Sequence, residues 1–102
     1  MSFDEKVYRF VALLDRAIAI AKERIKLRAE GVADIAPPGA LEYLVNGLYK
    51  YRTDALNGKL SPSEGVVTIG ILREVADWGE ASDSTLFKAA KDLESYYLEK
   101  MK

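Results

Sequence analysis

The stretch SPSEGVVTIGILREVADW, residues 61–78, decides the fold, because its two ends argue for different structures. Its opening reads as a helix start. Ser61 is a good N-cap, Pro62 suits the first helical position, and Glu64 stands where a capping box needs its acid. Its middle, VVTIGI, has the β-branched density of a strand. Helical period resolves the conflict. Val67, Ile71, Val75 and Trp78 align beside Ile69, Leu72 and Ala76, with Ser63, Arg73, Glu74 and Asp77 opposite. A lone strand would have no partner elsewhere in the chain. The expectation is a helix over 62–78. It has the widest apolar arc in the chain, so it should be the most buried helix. Gly65 and Gly70 then read as points of close approach for another helix.

Working outward, the same periodicity predicts three further helices. Over 3–29, Val7, Phe10, Val11, Leu14, Ala17, Ile18, Ala21 and Ile25 form one stripe, while Leu13, Ile20 and Leu27 form a second line. That second line either touches another helix of the same bundle or packs on another subunit. Gly31 and the pair Pro37-Pro38 break the chain, with Pro38 able to open the next helix; Val32 and Ile35 suggest a loop that packs down. Over 38–56, Leu41, Leu44, Val45, Leu48, Ala55 and Leu56 share a face, and Asn57-Gly58 ends the helix. Gly79 ends the third helix, and Ser82 or Asp83 is the expected cap of a fourth over 84–101, cored by Leu86, Ala90, Leu93, Tyr97 and Met101. The expected architecture is a single all-α domain over 1–102, a four-helix antiparallel bundle with a long first helix.

Chemistry is bounded mainly by what is missing. The 102 residues include no histidine and no cysteine, and net charge is −1. This removes His-dependent proton transfer, thiolate chemistry, His- or Cys-based zinc sites and the Glu-x-x-His ligands of di-iron bundles. No phosphate-binding glycine motif is present. Asp77, Glu80 and Asp83 lack calcium-loop spacing and read as helix-end and cap residues. No catalytic, cofactor or metal residue is expected. Nor is a signal peptide or membrane span, and a cytoplasmic location is compatible with this composition.

Two features stand out as candidate sites. Arg52 and Glu94 each place a charge inside the apolar face of their own helix, which suggests a structural ion pair docking helices 2 and 4. Leu13, Ile20 and Leu27, with Tyr43 and Tyr96 off their core lines, are the candidate interaction surface. Trp78 is expected at the core or rim. The run KERIKLR carries Lys22, Arg24, Lys26 and Arg28 at alternating positions, which scatters them around a helix end.

SPSEGVV, followed by Trp78, resembles a helix opening in the small acidic four-helix immunity proteins that inhibit nuclease bacteriocins. Their upstream tyrosine pair is matched only by Tyr49 and Tyr51, which Lys50 separates and no proline follows. The likeness covers less than a fifth of the chain, helix 1 is longer than in that family, and no binding residue is carried over. The leading functional expectation is a non-enzymatic protein-interaction module, regulatory or inhibitory, with an unidentified protein partner or a homodimer through helix 1. The alternative is a nucleic-acid-associated regulator using the basic end of helix 1. A small-ligand carrier with a cavity between helices ranks third.

Overall fold

The computed structural model of the protein describes residues 5–102. Four helices and no strand are found among them: α1 (Glu5–Ala29), α2 (Ala40–Leu56), α3 (Ile71–Asp77) and α4 (Thr85–Lys100). Residues 3 and 4, expected in the first helix, lie outside the described residues. α1 packs along both α2 and α4, and α3 packs on α4. The arrangement is that of a helical bundle.

The core is built from the expected stripes. Phe10, Leu14, Leu41, Leu48, Leu86 and Leu93 are fully or almost fully buried. Each such side chain contributes roughly 1.5–3 kcal/mol through removal from water. Phe10 meets Tyr97 with ring centroids 5.7 Å apart. Tyr97 also donates its hydroxyl proton to the Ser61 carbonyl at 2.6 Å, so the aromatic pair holds the loop before α3 as well.

Glycines end the helices where expected. After α1, Gly31 takes φ 96° and donates to the Arg28 carbonyl, while Val32 donates to Leu27. After α3, Gly79 takes φ 84° and donates to Ala76, while Glu80 donates to Val75. In both turns a left-handed residue lets the chain satisfy the last carbonyls of the helix. Two starts differ from expectation. α2 begins at Ala40 after a left-handed Gly39, and not at Pro38. α4 is capped by Ser84, whose hydroxyl accepts from the Phe87 amide at 3.0 Å, and not by Ser82 or Asp83.

The largest departure is in the deciding stretch. Only residues 71–77 are helical. Residues 62–70 are not, so the third helix is the shortest of the four and the expectation that it is the most buried fails. Ser63 explains why. It is fully buried, its amide donates to the Met101 carbonyl at 2.8 Å and its hydroxyl donates to the Leu98 carbonyl at 3.0 Å. Leu98 lies in the last turn of α4 and Met101 is its C-cap, where carbonyls have no partner within the helix. Glu64 and Gly65 then turn left-handed at φ 55° and 78°, and Gly70 does so at φ 89°. The two glycines are therefore turn residues and not points of helix approach. Val67, expected on an apolar face, stands 47% exposed, and its neighbour Val66 77%. Bonds to α4 outcompete a helix that would carry two interior glycines, each costing about 1 kcal/mol.

Candidate functional site

Glu94 occupies the position that makes this non-helical segment possible. It is buried on α4, and its carboxylate accepts from the Ile69 amide at 3.0 Å and the Leu72 amide at 3.4 Å. Gly70 has no side chain to cap α3, so a neighbouring helix supplies the cap. The expected Arg52–Glu94 pair is not formed. Arg52 donates instead to Asp15 of α1 at 2.8 Å, in a half-exposed bridge. Helical periodicity placed both charges inside apolar faces, but it could not show that an unsatisfied helix start lies beside Glu94.

A buried ionic cluster lies elsewhere. The Arg24 guanidinium makes two bonds to Asp34, Nε to Oδ2 at 2.8 Å and Nη2 to Oδ1 at 2.6 Å. Its Nη1 donates to Glu80 Oε2 at 2.7 Å. Asp34 Oδ1 also accepts from the Ala36 amide at 2.9 Å. The side chains of Asp34 and Glu80 are 9% and 4% exposed. The hydrogen bonds from Arg24 hold the Asp34 carboxyl below its ordinary range, and Asp34, with Glu80, raises Arg24 against the opposing effect of burial. The glycine turns after α1 and α3 bring these acids to one arginine. Glu80 is thus an ion-pair partner, not a cap. Ala36, 1% exposed, anchors the 30–39 loop, while Val32 and Ile35 remain exposed.

The surface candidates separate into two groups. Leu13 and Ile20 are half-buried and pack against the core, and Leu27 is half-buried at the end of α1. Tyr96 is also half-buried and donates its hydroxyl to the Lys6 carbonyl at 3.2 Å. Trp78 packs at the rim of the core. Tyr43 is different: it is 73% exposed.

Tyr43 stands on the lip of a groove between α2 and residues 67–74. One part has a volume of about 400 Å3 and is bounded by Tyr43, Gly47 and Tyr51 on one side and Ile69, Ile71 and Glu74 on the other. It shares Gly47, Lys50 and Tyr51 with an adjoining part of about 340 Å3, which Val67 and Thr68 border. A Cβ added at Gly47 would meet nothing within 4 Å, so the groove floor is open there. Lys50 bridges to Asp54 at 3.3 Å on the same wall. Burial beside the groove pushes the Glu74 carboxyl up. Sequence reading identified Tyr43 but missed the opposite wall, where Val67, Thr68 and Ile69 stand in the non-helical segment and Ile71 and Glu74 in α3.

Two cations of the basic run are engaged within the chain: Arg24 in the buried cluster, and Lys22 with the Tyr49 hydroxyl. Among the described residues, no three acid, cysteine or histidine side chains form a metal-holding group, and no helix is long and apolar enough to cross a membrane. The resemblance to immunity proteins rested on a helix opening at Ser61, and no helix opens there. No family model, curated protein or solved structure matches the chain.

Proposed function

We propose that the chain is a non-enzymatic protein-interaction module, regulatory or inhibitory in use, that docks its partner along the groove between α2 and residues 67–74. One observation carries this reading. Exposed Tyr43 and exposed Val67 line two adjoining concavities that share Gly47, Lys50 and Tyr51, and Gly47 adds no side chain between them. Tyrosine is among the common anchors of an interface, and exposed apolar surface beside it marks an interaction site. The open floor admits a side-chain ridge of a partner helix. The same reading takes the bundle as antiparallel and built on its long first helix. In support, Asp15 and Lys22 of α1 meet Arg52 and Tyr49 of α2, so chain numbering runs in opposite directions. Lys6 and Arg16 meet Tyr96 and Asp92 of α4 in the same opposed sense. The nucleic-acid alternative draws no support from this geometry, since Lys22 and Arg24 already hold partners.

A photo-crosslinking residue at Tyr43, compared with one at Glu30, tests the proposal in cells that express the chain. The expected result is one discrete adduct from position 43, lost when Val67 is changed to Glu. Mass spectrometry then tells a second copy of the chain from a different protein. Equal labelling from both positions, or an adduct indifferent to Val67→Glu, would overturn it.

A further inference from the structure

A second concavity lies apart from the groove, where the start of α1, the end of α2, residues 58–62 and the end of α4 converge. Its volume is about 550 Å3, within the range of roughly 300–1,000 Å3 common for small-ligand pockets. Val7, Ala55, Leu60, Pro62 and Met101 supply apolar lining. Lys100 and Lys102 also line it, as does Lys6, and Glu99 is the one acidic side chain among the described residues that do. In a chain of net charge −1, Lys100 and Lys102 set positive charge beside this apolar surface.

The wall is held in place. Ser63 ties residues 61–63 to Leu98 and Met101, and Tyr97 holds the Ser61 carbonyl. The last carbonyls of a helix carry partial negative charge and would repel an anion. Here Ser63 already occupies two of them, those of Leu98 and Met101. The Lys102 stem lies beside Gly65, where an added Cβ would come within 3.6 Å of it.

We propose that this pocket binds a free amphipathic acid, an unbranched aliphatic chain ending in a carboxylate. The chain lies against Leu60, Pro62 and Met101, and the carboxylate meets Lys100 and Lys102. An anionic headgroup restricted to a bilayer surface fits less well, because the apolar lining is concave and sits between helix ends.

The test is an amide NMR titration of the full chain with sodium decanoate below its micelle-forming concentration. Decyltrimethylammonium serves as the matched cation, and phosphatidylglycerol vesicles serve as the surface control. The expected result is saturable binding of decanoate, with shifts centred on Val7, Leu60 and Met101. Its affinity should exceed that of the cation by about fivefold, the upper end of a surface charge preference. Lys100→Glu with Lys102→Glu should remove that preference, and Lys100→Arg with Lys102→Arg should keep it. Both positions are exposed, so an otherwise unchanged spectrum verifies the fold of each variant. Absent or non-saturable binding, equal affinity for the cation, indifference to charge reversal, or binding to vesicles alone would each overturn the assignment.

Discussion

Arg24 is one of four cations in a run that reads as a solvated helix end, yet it is the hub of the buried ionic cluster. Its partners lie 10 and 56 residues away in sequence, so no local pattern marks it. Removing one member strands charge in a nearly dry site. Asp34→Ala is therefore expected to cost about 3 kcal/mol, the lower end for a broken buried pair because Arg24 keeps Glu80. Urea denaturation of the two proteins checks this. The pH dependence has a definite sign. Asp34 has a folded-state pKa below its unfolded value, so its contribution is complete above the unfolded carboxylate range. It is lost as pH falls through the lower folded value. Glu74 behaves oppositely. Burial raises its pKa, so its contribution to stability is present at low pH and is lost as pH rises through the folded value. Glu74→Gln should thus stabilise the fold at pH 7 and lose that advantage in acid, whereas Asp34→Asn should flatten the acid limb of the stability curve. Denaturation midpoints measured across the acidic range separate the two.

At the scale of the element, the ends of α1, α2 and α3 were legible because Gly31, Gly58 and Gly79 stand where left-handed residues must follow a helix. Gly79→Ala is expected to destabilise by about 1 kcal/mol from backbone strain alone. An added methyl there meets only ordinary contact, with Ile35 at 3.6 Å, so a thermal melt should register strain and not a clash. The start of the third helix was not legible. Ser61, Pro62 and Glu64 satisfy every local rule for a cap, and period continues from Val67 to Trp78. The competing bonds come from Ser63 and Glu94 to and from another helix, and these exist only in the assembled bundle. Glu94→Leu leaves the Ile69 and Leu72 amides without their acceptor. It should cost about 1–3 kcal/mol and release protection of those two amides in hydrogen exchange. A variant with both amides still protected would remove Glu94 from this role.

For the whole molecule, the segment 61–70 has two consequences at once. On one side it forms a wall of the Tyr43 groove, and on the other it closes the lysine-rimmed pocket. The stripes of helices 1, 2 and 4 were readable from periodicity because one face of each meets a common core. Neither concavity was, because both depend on how a loop is tied to the end of α4. The second line of helix 1 also reads differently in three dimensions. Leu13 and Ile20 pack against the core, so Leu13→Glu with Ile20→Glu should destabilise the monomer itself, by about 2 kcal/mol or more. Tyr43→Glu, on an exposed position, should stay within about 0.5 kcal/mol of the parent. Equal stability of all three proteins in urea would show that Leu13 and Ile20 are a free surface. Everything proposed for function rests on residues 62–70 being a fixed, non-helical wall, and backbone chemical shifts test this most directly. The prediction is that Cα and Cβ shifts are helical from Ile71 to Asp77 and non-helical from Pro62 to Ile69, with a slowly exchanging Ser63 amide. An unbroken run of helical shifts from Pro62 to Trp78 would contradict the account and remove both concavities together.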